Sequence, residues 1–149
     1  MAQEIERKYL VTSDCYKQMA VARYHIRQGY ISREKTGTVR IRITNEQAFL
    51  TIKGKPAAGH FARYEWEKEI PVHEAEELMK LCQGTIIEKT RWIIPAHENL
   101  KWEIDEFHGK HQGLTLAEIE LSSEKQSFEI PDFIGEEVTD DPRYYNANM

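Results

Sequence analysis

The feature that most constrains this chain is a series of like-charge pairs, each with its two members two residues apart in a segment that alternates like a strand. In an extended chain alternate side chains share a face, so Arg40 and Arg42 lie together, opposite Ile41. Six segments carry such a pair: Glu4/Glu6, Arg40/Arg42, Glu65/Glu67, Lys89/Arg91, Glu103/Asp105 and Glu118/Glu120. The pattern predicts strands that each have one charged face and one apolar face.

The separation of charge signs between strands favours a shared, charge-lined interior. Members of a pair lie about 7 Å apart and repel each other where screening is weak. A solvated outer face would explain any single pair, but it does not require each strand to carry one sign. About eight strands suffice to close an antiparallel barrel around a small ligand. We therefore expect an α+β, mainly β fold: a closed eight-stranded antiparallel β-barrel, or tunnel, with helices packed outside.

Two helices are expected among the strands. Thr12-Ser13-Asp14 is typical of a helix cap and predicts a short helix through about Ala22. Leu78, Leu81 and Cys82 form an apolar stripe that predicts a second helix over residues 73–84. The segment 54–59, rich in Gly and Pro, reads as an ordinary strand connection, since no Gly-Lys-Ser/Thr ending follows it.

Length and charge narrow the class of protein. The chain has 149 residues, which suits one domain over 1–149, and its net charge of -5 argues against a general nucleic-acid or membrane binder. Its two cysteines form no motif, and no leader or membrane-spanning stretch is evident. We expect a cytoplasmic protein.

A lumen with basic strands on one side and acidic strands on another suits a polyanion that carries a divalent metal ion. Arginine and lysine bind phosphate oxygens, whereas clustered carboxylates suit hard cations such as Mg²⁺ or Mn²⁺. The segment His108-Gly109-Lys110-His111 lacks a third ligand and reads as a solvated turn. Trp66, Trp92 and Trp102 fall on the apolar faces and are expected to pack against helices.

The motif Glu4-x-Glu6-x-Lys8 resembles the signature of the CYTH superfamily, also called the triphosphate tunnel metalloenzymes. The resemblance continues in order through the later charged pairs and through Thr51-x-Lys53, so it covers nearly the whole chain, and the short bacterial single-domain members are the most similar. It implies a tunnel that binds a triphosphate and hydrolyses it with Mg²⁺ or Mn²⁺.

The resemblance also implies roles for individual residues. The phosphate-binding side chains would be Lys8, Arg40, Arg42, Lys53, Lys89 and Arg91. The metal ligands would be Glu4, Glu6, Glu118 and Glu120. Secondary ligands or residues that orient the attacking water would be Glu65, Glu67, Glu103 and Asp105, of which we assign the first two to catalysis and the last two to the metal.

Tyr30 matches a position where a Lys/Tyr dyad is implied, here with Lys8, for general acid–base catalysis. The alternatives for Tyr30 are a hydrogen bond to phosphate and simple packing, and they stay open. Lowering of a lysine pKa by neighbouring arginines would make the dyad chemically reasonable.

Inorganic tripolyphosphate, cleaved to pyrophosphate and phosphate, is the expected substrate, because no aromatic side chain stands out as a platform for an organic group. The alternatives are a class IV adenylate cyclase, a thiamine triphosphatase, or a non-catalytic module that binds polyphosphate or nucleotides. The full set of carboxylates favours catalysis over sensing. A homodimer is a reasonable expectation from the resemblance.

Overall fold

The computed structural model describes residues 2–34, 36–55 and 62–149, without the side chains of residues 2–4 and 62. Within these residues nine strands form one antiparallel sheet. The strands are β1 Ala2–Val11, β2 Ala22–Glu34, β3 Gly37–Thr44, β4 Gln47–Gly54, β5 Ala62–Ile70, β6 Gln83–Pro95, β7 Lys101–Phe107, β8 Thr115–Glu120 and β9 Ile134–Glu137. The predicted mainly β architecture is confirmed.

The sheet closes because β1 pairs on both of its edges. The order is β5-β4-β3-β2-β6-β7-β8-β1-β9, and β1 also pairs with β5. The first half of β1 meets β5, with Ile5 opposite Ala62. Its second half meets β8, with Glu6 opposite Glu120. Eight of the strands described here therefore form a ring, and β9 lies beside the last residues of β1, with Tyr9 opposite Glu137.

One helix covers the outside of β3 and β4. Helix α1, Val72–Met79, buries Ala75 and Met79 against Ile41, Ile43 and other apolar residues of the barrel. The helix is shorter than the predicted 73–84, because residues from Gln83 onward join β6 and pair with Tyr30 of β2. None of the helices in the described ranges is long and apolar enough to cross a membrane.

A second apolar cluster covers the outside of β7 and β8. Trp102, Ile104 and Ile119 pack there with Tyr16, which comes from a short 3-10 helix, and with Phe133, which comes from an irregular segment of the chain. The predicted helix after Thr12 is only a 3-10 helix, Cys15–Gln18, and the side chain of Asp14 makes no capping hydrogen bond. Both outer clusters agree with the prediction that the apolar strand faces pack outward.

A third apolar cluster lies inside the barrel, at one end. Leu10, Phe107 and Leu116 are each two residues from a charged lumen position, and they therefore share its face. Residues 138–149, here called the tail, pack onto this layer through Val138, Tyr144, Ala147 and Met149. At this end of the barrel, apolar side chains therefore line the lumen beside the charged faces.

Three further 3-10 helices complete the described secondary structure: Gly109–His111, Pro142–Tyr144 and Asn146–Asn148. The last two lie in the tail.

Candidate active site

The buried charges of the barrel are predominantly positive. Among the side chains that the structure describes, five buried cations stand against two buried carboxylates: Lys8, Arg40, Lys53, Lys89 and Arg91 against Asp105 and Glu118. Burying a charge costs free energy unless a partner compensates it. The surplus of cations therefore makes the lumen suited to hold an anion.

Asp105 is the centre of the buried ion pairs on β6 and β7. Its carboxylate accepts hydrogen bonds from Arg91 Nε at 2.7 Å and Arg91 Nη2 at 2.9 Å. The ammonium of Lys89 lies 2.8 Å from Asp105 Oδ2. Burial acts to raise the pKa of Asp105, but the Arg91 and Lys89 cations outweigh it and lower that pKa to about 2. Both oxygens of Asp105 thus already have cationic partners.

Lys89 is fully buried, with no exposed surface. Burial, opposed in part by the attraction of Asp105, lowers the pKa of its ammonium to about 7, and repulsion from Arg91 and Arg42 adds to this effect. A lysine that titrates near neutrality is able to exchange a proton during a reaction. The sequence analysis expected neighbouring arginines to lower the pKa of a lysine in the lumen, and it gave the acid–base role to Lys8.

Lys8 lies on β1 near Glu118 of β8. Its ammonium donates a hydrogen bond to the carbonyl oxygen of Tyr144 in the tail at 2.8 Å and lies 3.6 Å from Glu118 Oε1. Burial acts to raise the pKa of Glu118, but Lys8 first, then Arg91 and Lys89, hold it well below its usual range. Glu118 is therefore ionised in the folded protein at neutral pH.

The wall formed by β3, β4 and β5 carries a second set of cations. Arg40 Nη2 donates to the hydroxyl of the buried Thr51 at 3.2 Å, and that hydroxyl donates to Glu67 Oε2 at 2.7 Å. The ammonium of Lys53 lies 3.5 Å from Glu65 Oε2. Glu65 and Glu67, the predicted catalytic carboxylates, thus each lie beside a predicted phosphate-binding cation.

Arg42 completes this wall. Its Nε donates to the side-chain oxygen of Gln28 at 2.8 Å. Burial, with repulsion from Arg40 and Arg91, lowers the pKa of its guanidinium to about 9. The surroundings of Arg42 therefore disfavour the charged form of its guanidinium, and an anionic ligand nearby would stabilise that form.

Strand register places the remaining carboxylates in like-charge pairs. Glu6 lies opposite Glu120 across β1 and β8, and Glu103 lies opposite Glu118 across β7 and β8. Such pairs are unfavourable in a sheet without a balancing cation, and carboxylate oxygens are the donors that Mg²⁺ and Mn²⁺ prefer. The chemistry of this donor set therefore fits a hard divalent metal ion.

The predicted metal ligands are spread over several strands of the barrel. Among the described side chains, no three His, Cys, Asp or Glu groups lie close enough together to hold a metal ion. The predicted ligand Glu4 lies outside the described side chains. Glu103 lies 3.3 Å from Arg91 Nη1, and Glu118 lies 3.6 Å from the ammonium of Lys8. Two of the predicted metal ligands are therefore already paired with basic side chains.

Tyr30 is buried at the boundary between the apolar layer and the charged wall. It belongs to the interior apolar cluster, and its cross-strand neighbours are Arg40 and Gln83. The guanidinium of Arg33 lies 5.3 Å from the centre of its ring.

Gln28 and Asn146 are polar contributors that the sequence analysis missed. Gln28 is fully buried and donates from Nε2 to Asn146 Oδ1 at 3.0 Å. Lys89 donates to the same oxygen at 2.8 Å. The alternation of β2 was a signal for Gln28, since it is two residues before Tyr30. No periodic pattern marks Asn146.

His108, Trp92 and Trp102, which the sequence analysis also singled out, lie on the outer side of the barrel. His108 forms a hydrogen bond with the hydroxyl of Thr90 at 2.7 Å beside the turn that contains His111. Trp102 is buried in the second outer cluster, and Trp92 packs edge-on against Tyr16. These residues stabilise the outside of the barrel.

Comparison with known proteins gives consistent results. The CYTH domain family matches residues 2–145. An inorganic triphosphatase of Acetivibrio thermocellus is 46% identical, covering 100% of this chain and 94% of that protein. An inorganic triphosphatase of Nitrosomonas europaea is 35% identical, covering 98% of this chain and 95% of that protein. The crystal structure of the inorganic triphosphatase NE1496 superimposes with a TM-score of 0.69 at 33% identity, covering 99% of this chain and 94% of that one.

Proposed function

The chain belongs to the CYTH family, and we propose that it hydrolyses inorganic tripolyphosphate to pyrophosphate and phosphate. Two relatives that align over nearly its whole length are inorganic triphosphatases, which supports this substrate. The observation that carries the proposal is the cation surplus of the buried lumen, where five cations face two carboxylates among the described side chains. A compact polyanion with several charges would balance the excess of buried cations over buried carboxylates.

Substrate binding is assigned to the two cationic walls. Arg40, Arg42 and Lys53 extend from β3 and β4, and Lys89 and Arg91 extend from β6, with Lys8 on β1. The guanidinium groups are suited to bidentate contacts with phosphate oxygens, and the ammonium groups act as point charges. Strand pairing fixes their spacing before substrate arrives, so little reorganisation is required on binding.

A divalent metal ion, Mg²⁺ or Mn²⁺, would be held by Glu4, Glu6, Glu118 and Glu120, with Glu103 as a further ligand. When bound, it would neutralise phosphate charge and acidify a bound water. Asp105 is better suited to another role than metal binding. Both of its oxygens accept hydrogen bonds from Arg91, and Oδ2 also lies 2.8 Å from the ammonium of Lys89. We assign it to positioning these two cations.

The remaining assigned roles concern the attacking water and its proton. Glu65 and Glu67 orient the water, since each lies at the edge of the cationic wall beside Lys53 or Arg40. Tyr30 with Lys8 remains the proposed acid–base dyad. Lys89 is a second lysine for the same role, because its pKa of about 7 suits proton transfer near neutral pH.

The broader setting of the protein is also a proposal. We place it in the cytoplasm, where reducing conditions suit its free cysteines Cys15 and Cys82. It would act as a single domain over residues 1–149 or as a homodimer of such domains, without nucleic-acid or membrane partners.

The test is product analysis with three substrates: tripolyphosphate, ATP and thiamine triphosphate. Phosphate, pyrophosphate and cyclic AMP are measured with Mg²⁺, with Mn²⁺ and with chelator. We expect rapid, metal-dependent release of phosphate and pyrophosphate from tripolyphosphate, and loss of turnover in Arg91→Gln but not in the outer-face variant Arg23→Gln. Cyclic AMP from ATP would favour the cyclase instead. Metal-dependent binding without turnover of any substrate would indicate a binding module.

A further inference from the structure

The cations of the lumen differ in whether a carboxylate balances them at contact distance. Each of the five buried cations has a carboxylate oxygen within 3.7 Å: Lys8 with Glu118, Arg40 with Glu67, Lys53 with Glu65, and Lys89 and Arg91 with Asp105. Arg42 differs from all of them. Among the described side chains it forms no ion pair, and its Nε donates instead to the neutral side-chain oxygen of Gln28 at 2.8 Å.

Gln28 holds Arg42 in a fixed position. It lies directly opposite Arg42 in the pairing of β2 with β3, and it is fully buried. Its Nε2 donates to Asn146 Oδ1 at 3.0 Å, and Lys89 donates to the same oxygen at 2.8 Å. A guanidinium and an ammonium can only donate, so Arg42 and Lys89 must each face an oxygen, which fixes the orientation of both amides. The side chain of Gln28 therefore has one arrangement that satisfies all its neighbours.

The contact through Nε leaves the rest of the Arg42 guanidinium available for a ligand. Arg40 uses its Nη2 to bind Thr51, and Arg91 uses its Nη2 to bind Asp105. Within the described part of the chain, neither Nη group of Arg42 has a hydrogen-bond partner. Two Nη groups form the fork that contacts two oxygens of one phosphate group. Arg42 is thus the guanidinium best prepared for a bidentate contact.

We infer that Gln28 is a positioning residue for Arg42, and that the neutrality of its side chain determines how tightly the lumen binds a triphosphate. The inference rests on the proposed function and deepens it. A glutamate would have nearly the same shape and would accept the same hydrogen bond, but it would balance the charge of Arg42 before the substrate arrives. The substrate would then meet a carboxylate that repels it. A neutral acceptor fixes the guanidinium and leaves its full charge to the anion.

The first test uses Gln28→Glu, which keeps an oxygen for Arg42 Nε and adds a negative charge. Its second oxygen would face Asn146, whose amide can turn to donate to it. We expect KM for tripolyphosphate to rise about tenfold or more and kcat to change less than about threefold, because the added charge opposes binding of substrate and transition state alike. The Kd for tripolyphosphate, measured by calorimetry with chelator, should rise by a similar factor.

The matched control is Gln18→Glu, which adds the same charge at an exposed position of the 3-10 helix outside the barrel. Solvent and salt screen a charge there, so KM should stay within about twofold. Unchanged KM and Kd in Gln28→Glu, with tripolyphosphate still hydrolysed, would overturn this inference and leave the proposed function intact. No hydrolysis of tripolyphosphate by the wild-type protein would overturn both.

The second test asks whether Gln28 acts through Arg42. Gln28→Met keeps the length of the side chain but removes the acceptor, and it is made alone and together with Arg42→Gln. We expect Gln28→Met to raise KM about tenfold by itself and less than about twofold in the Arg42→Gln background, because the residue that it positions is then absent. Equal increases in the two backgrounds would contradict the assigned role. Loss of the folded state in both Gln28 variants would also contradict it, because Gln28 would then serve folding and not Arg42.

Discussion

Asp105 determines whether the cations of the lumen can be buried together. It is 1% exposed, and its two oxygens bind Arg91 and Lys89, which lie two residues apart on the same face of β6. Without this carboxylate the two cations would repel each other in a medium of low polarity. The position of both depends on one side chain from the neighbouring strand.

We predict that Asp105→Asn lowers the free energy of unfolding by about 3 kcal/mol or more, because it leaves buried cations without a full counter-charge. Tripolyphosphate hydrolysis should fall as well, since Arg91 and Lys89 lose their fixed geometry. Urea denaturation and steady-state kinetics measure the two effects. Addition of tripolyphosphate should recover part of the lost stability, because the anion replaces the missing charge.

The control for this prediction is Asp141→Asn, which also removes a carboxylate bound to an arginine. Asp141 and Arg143 form their ion pair at the exposed surface of the tail. Exposed ion pairs contribute little to stability. Equal losses in the two variants would contradict the central role of Asp105.

The identity of the lumen residues was predictable from the sequence, whereas their partners were not. Strict alternation places Arg91 and Asp105 on the charged faces of their own strands, and a register that packs the apolar faces outward turns both toward the lumen. Which lysine pairs with which carboxylate depends on the strand register and the stagger of the barrel. Short-range sequence patterns do not reveal either of them. This is why the lowered pKa of Lys89, which follows from its burial beside Arg91 and Arg42, was not anticipated.

The junction of β1 and β9 anchors the start of the tail. Arg7 Nε donates to Glu137 Oε2 at 2.8 Å, and the hydroxyl of Thr139 donates to the same oxygen at 2.6 Å. The hydrogen bond from Arg7 is the main cause that lowers the pKa of Glu137 below its usual 4.5. The ionised carboxylate thus fastens β9 to the barrel wall just before the chain turns into the lumen.

We predict that Glu137→Gln lowers stability by about 0.5 kcal/mol at pH 7, a value limited by solvent screening. Because the folded pKa of Glu137 is depressed, its stabilising contribution is present above the unfolded pKa and is lost as pH falls through the folded one. The difference between wild type and variant should therefore vanish in acid, below the usual pKa of 4.5. Thermal denaturation from pH 7 to pH 3 measures it, with the exposed neighbour Glu136→Gln as control. A constant difference across this range would contradict the assignment.

The absence of a side chain at Gly29 allows β2 to pack closely against the segment that follows α1. A Cβ atom at this position would lie 2.8 Å from both Cys82 Sγ and Ile86 Cδ1. Such distances are too short, so the neighbouring segment would have to move. The adjacent residue is Tyr30, whose placement depends on the same strand.

We predict that Gly29→Ala lowers the free energy of unfolding by about 1–3 kcal/mol through overpacking. Gly54→Ala is the control, because a Cβ there would lie at an ordinary 3.5 Å from Tyr64 Cβ. Chemical denaturation of both variants measures the difference. Similar stability of the two would mean that the Cys82 segment relaxes without cost.

Element prediction succeeded where alternation was strong and failed where it was absent. The strands were recognisable because charged and apolar residues alternate along them. The tail and the segment that carries Phe133 have no period, yet they close the lumen and cover the second outer cluster. Their positions follow from the shape of the surface that they fill, and a single sequence does not reveal that surface.

The buried charges of the protein and its net charge have opposite signs. The chain has a net charge of -5, whereas the buried charges among its described residues are mainly cations. The outer surface therefore discourages non-specific anion binding, and the lumen attracts anions at short range. Affinity for a triphosphate should come from this buried set.

We predict that tripolyphosphate stabilises the protein even in the presence of chelator. Ligand at about 100 times its Kd adds about 2.7 kcal/mol to the free energy of unfolding, which raises the melting temperature by several degrees. Arg40→Gln should reduce this increase, and Arg23→Gln, on the outer face, should preserve it. Equal increases in both variants would mean that the anion binds outside the barrel.

The two-sided pairing of β1 also determines when the barrel is able to form. The partners of β1 are β5, β8 and β9, and the register places Ile5 opposite Ala62 and Val11 opposite Ile134. During synthesis β1 leaves the ribosome before β5, β8 and β9, so it has to wait for these partners. Contacts so distant along the chain slow folding. The nascent protein therefore exposes open sheet edges until β8 and β9 emerge, and assistance from chaperones matters most during that interval.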